Sequence, residues 1–391
     1  MSNMDKRREI IDTGIELLEE KLVARTWGNI SARIDADNYL ITPSGLDYTS
    51  MREEVIVSVN IKTGEYTGII RPSGEKGVHS AAYEVFDDVN FVVHTHQTYA
   101  TAVSLAGFDS LEATVGSPTG SESFETTAVS LAGFDLLEAT AGSSTGSESF
   151  ETSAGSTAGS ESFDITEEEI EKLGGIALAE YGLPGTKEIT NACKSALLTG
   201  AHTVLMIHHG VLVLGKDKEE AMKRVKLLES ICERNVKRVI IDNTPHNHLE
   251  ALDNYLKAFD TCPEDNSSYR YCEVLTDKAL IALSNSETEI FSQLDDVSQM
   301  IGTKIVTVDS LDKALKLSDN AVLIKGVGAL IKAENKDDLE ALKVLMNKMA
   351  IVKLYTKAKN VKAEISIEES DFMHYDYVNR YSLQNNKNRK I

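Results

Sequence analysis

NFVVHTH, residues 90–96, is an apolar, β-branched run that closes on two histidines two positions apart. Such a run predicts a buried strand, and alternate side chains of a strand leave on the same face, so His94 and His96 can share one metal ion. A third ligand is expected from TVLMIHHGVLVLG at 203–215, a second apolar run that predicts a strand. There His209 is followed by Gly210, where the chain can turn close to an ion. Three neutral imidazoles with an open fourth position are the ligand set of a catalytic zinc centre. A bare H-x-H pair is equally compatible with hydrogen-bonded core histidines, and a second such pair, His246 and His248, sits in a Pro- and Asn-rich linker and reads as solvated surface.

Outward from that strand the chain alternates helices and short strands. Ile11, Ile15, Leu18 and Leu22 recur at helical spacing and predict a first helix ending near Val23. NISARI (29–34), NYLITPSG (38–45) and EVIVSVNIKTGEY (54–66) predict strands broken by turns, and a helix follows from about Lys76 to Phe86. Beyond residue 165 come the short segment ITEEEIEKLGG, a strand IALAEY at 176–181, a helix through about Leu198, and a long helix from Lys218 to about Val239. Ala221, Val225, Leu228 and Ile231 form the apolar stripe of that last helix.

Two repeats interrupt this order. Residues 101–126 return as 127–152 with three differences in 26 positions, followed by a clipped third copy. The segment is rich in Ser, Gly, Thr and Glu with little apolar content, so 108–165 reads as a repetitive, mobile insertion and not as the functional centre. A quieter repeat relates 321–350 to 203–232: a strand, a Gly at the same place, a polar turn, then a helix. The division expected is therefore a first domain over 1–243 and a partial copy over 249–391.

The 391 residues carry 61 Asp+Glu against 40 Lys+Arg, a net charge of −21 that repels phosphate backbones and anionic lipid surfaces. Neither a nucleic-acid nor a membrane partner is expected. The N-terminus lacks the apolar stretch of a signal peptide and no apolar run is long enough to span a bilayer, so a cytoplasmic location is expected. Four cysteines at unrelated spacings suggest neither a disulfide framework nor a cysteine zinc site.

Glu75 follows the turn Pro72-Ser73-Gly74 and opens a helix, where a carboxylate is ordinary. Near a metal it can instead take and return a proton. Three small-residue turns, at Gly28-Asn29, Ser44-Gly45 and Ser73-Gly74, offer hydroxyls and N–H groups of the kind a phosphate needs.

The ordered set GNIS, TPSG, PSGE with His79 four residues after the Glu, HTH, YGLPGT and HHG resembles the class II aldolase/adducin family, closest to its zinc-dependent sugar-phosphate aldolases of the fuculose-1-phosphate type. The resemblance covers about 1–107 and 166–240. It implies a three-layer α/β/α domain with a central, mostly antiparallel sheet. It implies Zn²⁺ on His94, His96 and His209, Glu75 as acid/base, and a phosphate pocket lined by Thr26, Asn29, Ser44, Gly45, Ser73 and Gly74. The activity implied is reversible cleavage of a ketose 1-phosphate to dihydroxyacetone phosphate and an aldehyde, in a homo-oligomer, a tetramer in most relatives. The alternatives are a pentulose-phosphate 4-epimerase, whose relatives carry Asp at the place of Glu75, and a non-catalytic adducin-like interaction module. Three departures stand out: no tyrosine matches the one that family aldolases bring from a neighbouring subunit, Gly74 replaces a second serine, and Val327 stands at the place of His209 in the C-terminal copy, with no H-x-H before it. That copy is expected to bind no zinc and to serve packing or oligomerisation.

Overall fold

The computed structural model describes residues 2–23, 25, 27–106, 163–243 and 269–381. Thr26, His246, His248 and nearly all of the 108–165 insertion lie outside the described residues.

The first helix, α1 (Asn3–Glu19), is opened by a capping box between Ser2 and Asp5. It stops at Glu19 and not near Val23, because Lys21 adopts left-handed backbone (φ 59) and the N–H groups of Lys21 and Leu22 turn back to the carbonyls of Leu18 and Leu17. Leu22 and Val23 are nevertheless buried. The stripe thus outlasts the helix.

Strands β1 (Gly28–Arg33), β2 (Asn38–Ile41), β3 (Val57–Asn60) and β4 (Tyr66–Thr67) precede helix α2 (Lys76–Val85). Strand β5 (Phe91–Thr95), helix α3 (Thr98–Ala106), the short α4 (Glu167–Lys172), β6 (Ile176–Ala179) and α5 (Lys187–Leu197) follow. The unit closes with β7 (Thr203–Met206), β8 (Gly210–Gly215) and α6 (Lys218–Asn243). These strands form one eight-stranded sheet in the order β4-β3-β2-β1-β5-β8-β7-β6, in which only β6 and β7 run parallel. The expected single strand at 203–215 is two: β7 and β8 pair back antiparallel, Met206 opposite Gly210, with His208 and His209 in the turn.

Alternation along β5 sorts the layers. Val93 joins a core with α1, α3 and α6, whereas Val92 joins one with α2 and α5, so the sheet is covered on both faces. This is the α/β/α arrangement expected.

Strand β9 (Tyr271–Leu275), α7 (Lys278–Ser286), β10 (Glu289–Phe291), α8 (Asp295–Met300), β11 (Lys304–Val308) and α9 (Leu311–Lys316) begin the C-terminal region. It continues with β12 (Ala321–Ile324), β13 (Gly328–Ala333), α10 (Lys336–Ala358) and α11 (Ile367–Asp376). Its sheet runs β10-β11-β12-β13-β9, with β11 and β12 parallel. Leu275 pairs with Ala329 here as Thr95 pairs with Val211 in the first sheet. A Cβ at Gly328 would collide with the Leu275 carbonyl, as one at Gly210 would collide with that of Thr95. The large core around α3 and α6 runs without interruption into α7, α8 and α10. Among the described residues no helix is long and apolar enough to cross a membrane.

Candidate metal centre

β5 delivers His94 to the α2 side of the sheet, two residues after Val92. His96 lies just past the strand end. His209 comes from the β7–β8 turn, where His208 holds left-handed backbone (φ 64). Glu75 precedes α2, but its side chain does not cap that helix. It points instead at the histidines, so its place at the helix start is not what occupies the carboxylate. One ligand atom from each of Glu75, His94, His96 and His209 lies within 4.8 Å of the others.

The contacts inside this cluster are close, and the shortest of them is poorly oriented for a hydrogen bond. His209 Nε2 is 2.6 Å from Glu75 Oε1, yet neither atom has a hydrogen-bond partner. His94 Nε2 lies 3.2 Å from Glu75 Oε2 and 3.0 Å from His96 Nε2. The far nitrogens are engaged differently. His94 Nδ1 donates to the Val211 carbonyl (2.8 Å), and His209 Nδ1 donates to Asp295 Oδ2 (2.9 Å). A proton fixed on Nδ1 leaves the Nε2 lone pair of each ring free and aimed inward. Buried ligand atoms crowded on one point, with Glu75 Oε1 and His209 Nε2 left unpartnered, are what a divalent cation's ligand set looks like from the protein side, and three imidazoles with a carboxylate suit such an ion.

Electrostatics agree. Burial alone would lower the His209 pKa, but Glu75 and Asp295 push it up to about 10. Burial would raise Glu75, yet His209 and His94 hold it well below the usual carboxylate range. Without a metal the site balances its carboxylate by keeping a proton on His209; a cation would displace that proton.

Behind Glu75 runs a buried chain of hydrogen bonds with one possible direction. The Asn29 amide nitrogen donates to Glu75 Oε2 (2.8 Å), and His79 Nε2 donates to Asn29 Oδ1. His79 Nδ1 must then accept from Ser31 Oγ (2.6 Å), which accepts from the Tyr83 hydroxyl (2.8 Å). Burial lowers the His79 pKa to about 3, consistent with a neutral ring that serves as a linker. Asn29, expected to line a phosphate pocket, thus has its amide engaged with Glu75 and His79.

The other two small-residue turns lie side by side. Pro43 and Pro72 form a bridge, Ser44 N–H donates to the Arg71 carbonyl, and Ser73 N–H donates to that of Thr42. Ser73 Oγ accepts from the Glu75 N–H (3.2 Å), which sets these turns against the carboxylate. Gly45 holds φ 69, and a Cβ at Gly74 would meet nothing within 4 Å. The N–H groups of Ser44 and Ser73 are therefore spoken for, while Gly74 faces open space.

Sequence reasoning missed Asp295, Asp296 and Lys348. All three are at most 2% exposed. Asp296 Oδ2 lies 3.5 Å from His96 Nδ1 and 2.7 Å from Lys348 Nζ, which also donates to the His96 carbonyl (3.0 Å). An Asp-Asp pair opening a helix carries no signal beyond ordinary first-turn acidity.

A family model described as the class II aldolase and adducin N-terminal domain matches residues 8–236. L-ribulose-5-phosphate 4-epimerase UlaF of Salmonella paratyphi B is 37% identical over 103 residues, 26% of this chain and 45% of that protein; the match thus spans under half of the curated relative. Among solved structures, an L-fuculose 1-phosphate aldolase aligns at 23% identity and TM-score 0.41 over 59% of this chain and 84% of its own. The L-fuculose-1-phosphate aldolase of Thermus thermophilus aligns at 18% and 0.41, over 63% of this chain and 99% of its own.

Proposed function

The chain belongs to the class II aldolase and adducin family, and from that premise we propose that it is a zinc-dependent aldolase that reversibly cleaves a ketose 1-phosphate to dihydroxyacetone phosphate and an aldehyde. The observation that carries this reading is the convergence of Glu75 with His94, His96 and His209. An adducin-like module without catalysis has no use for such a buried donor set.

Zinc held by the three histidines would supply a Lewis acid for the charge that develops on the ketose oxygens. The protein's own residues do the rest. Asn29 holds Glu75 Oε2, which leaves Oε1, without a hydrogen-bond partner, as the oxygen that takes a proton from the substrate carbon and returns it. The turns at 42–45 and 71–74, set against Glu75 through Ser73, are the place for the phosphate, with Ser44, Gly45, Ser73 and Gly74 around it; Thr26 and Asn29 complete the set read from the sequence.

The second reading, pentulose-phosphate 4-epimerase, is favoured by the 37% identity to such an enzyme. The glutamate at position 75, one methylene longer than the aspartate of the epimerases, favours the aldolase. A panel of ketose 1-phosphates together with L-ribulose 5-phosphate, with added Zn²⁺ and scored for dihydroxyacetone phosphate and for epimerised pentulose, separates the two. Release of the triose phosphate supports the aldolase; an epimerised pentulose with an intact carbon skeleton overturns it.

Two variants test the roles. His94→Ala or His209→Ala is expected to abolish zinc uptake, at about one ion per chain in the unaltered protein; unchanged metal content sinks the ligand assignment. Glu75→Gln is expected to keep the metal and lose cleavage, so retained activity removes Glu75 from the mechanism.

Residues 249–391 fit the same proposal as a degenerate partial copy. The shared pairing register supports this, for it sets Val274 and Thr276 where the first sheet has His94 and His96, and Val327 where it has His209. A homo-oligomer, a tetramer by family, is the expected assembly; light scattering after size exclusion tests it, and a monomer refutes it.

A further inference from the structure

The first turn of α8 enters the metal centre from the C-terminal region. Asp295 and Asp296 are 0% and 2% exposed, and neither carboxylate caps its own helix, although Asp296 Oδ1 accepts from the adjacent Val297 N–H. Asp295 Oδ2 accepts from His209 Nδ1 (2.9 Å), and its backbone N–H donates to the His208 carbonyl (3.0 Å). His208 Nδ1 in turn donates to the Gln293 carbonyl (2.9 Å). Three hydrogen bonds therefore tie residues 293–295 to the turn that presents His209. That turn carries a residue in left-handed backbone, a conformation that persists where surrounding contacts over-determine it. In the C-terminal hairpin the matching position is Gly326, at φ 74, which needs no such support.

Charge points the same way. With His209 neutral, as an ion requires, Glu75, Asp295 and Asp296 bring three carboxylates around the buried ammonium of Lys348, a surplus of two negative charges that a divalent ion cancels.

We propose that Asp295 is a positioning residue of the metal centre: it fixes the ring orientation and Nδ1 proton of His209 so that Nε2 faces the ion, while Lys348 holds the backbone carbonyl of His96. The C-terminal region is then an internal part of the site and not only a packing partner. Histidine ligands backed by a carboxylate bind metal more tightly, and loss of such a partner costs about 10–100-fold in affinity. This inference rests on the metal reading above, and the test keeps the two apart.

The full-length apoprotein is titrated with Zn²⁺ against a chromophoric chelator, and with Co²⁺ while the visible spectrum is recorded. Asp295→Ala is expected to weaken Zn²⁺ about 100-fold and to shift the Co²⁺ bands. Asp295→Asn, which keeps an acceptor oxygen at nearly the same volume, is expected to weaken Zn²⁺ about tenfold and to restore the spectrum. Should the alanine variant fail to fold, the asparagine variant alone decides. Zinc affinity within twofold of the unaltered protein in the folded variants, with unchanged Co²⁺ bands, overturns the assignment of Asp295 while leaving the metal centre standing. No zinc uptake by the unaltered protein removes the metal centre, and this inference with it.

Discussion

Asn29, read from the sequence as lining a phosphate pocket, has its side chain turned to two protein partners. Its position beside the reactive carboxylate follows from β1 pairing with β5, where Asn29 stands opposite His94. Its amide is spent on Glu75 and His79. Asn29→Ala is expected to lower kcat about 10–100-fold with zinc content intact, the scale of one lost hydrogen bond to a charged group. A variant with unchanged kcat would show that Glu75 needs no such anchor. Gly74→Ser adds a hydroxyl where a Cβ meets nothing within 4 Å, so it is expected to fold normally and to lower KM for the phosphorylated substrate. A raised KM would place the phosphate elsewhere. The three histidines and Glu75 were legible because their residue types are costly to bury without a purpose and their spacing has a geometric meaning. Asp295 was not, since it meets His209 across 86 positions of chain and looks like any acidic residue that opens a helix.

Among the elements, the 203–215 hairpin hid inside an apolar run broken only at His208-His209-Gly210. Both of its strands are buried throughout, and neither His208 nor His209 is a turn-former by type, so Gly210 is the single mark of the reversal. Helix α4 is the opposite case, since Thr166 and Glu169 spell a capping box in the sequence and form one in the structure. Arg234 of α6 grips the same carboxylate through two nitrogens, at 3.0 and 3.1 Å. The Arg234 and Thr166 hydrogen bonds hold the Glu169 pKa down at about 2, from an ordinary 4.5. A depressed carboxylate stabilises the fold above its unfolded value, and that stability is lost as pH falls from about 4.5 through 2. Glu169→Gln is therefore expected to melt below the unaltered protein at pH 7 and to converge with it near pH 2. An equal gap at both pH values would mean the carboxylate's charge is not what matters.

At the scale of the molecule, the two sheets are joined by what packs between them. One hydrophobic core contains Val225 and Leu228 of α6 together with Leu345 and Met349 of α10. Heating is expected to give a single calorimetric transition despite the two sheets; two resolved transitions would refute that shared core. The charge of −21 means that the proposed sugar phosphate would have to be held by local groups, because the long-range field opposes the approach of an anion. Association is accordingly expected to quicken as salt screens that field, and a rate that falls with salt would reveal a local cationic funnel. The seam formed by His208, His209, Gln293 and Asp295 also bears on how such a chain can change over generations. A substitution at one side of it is read through the other, so tolerated variants should arise as compensating pairs, and exchanging the C-terminal half between relatives should succeed only when the 208–209 turn travels with it.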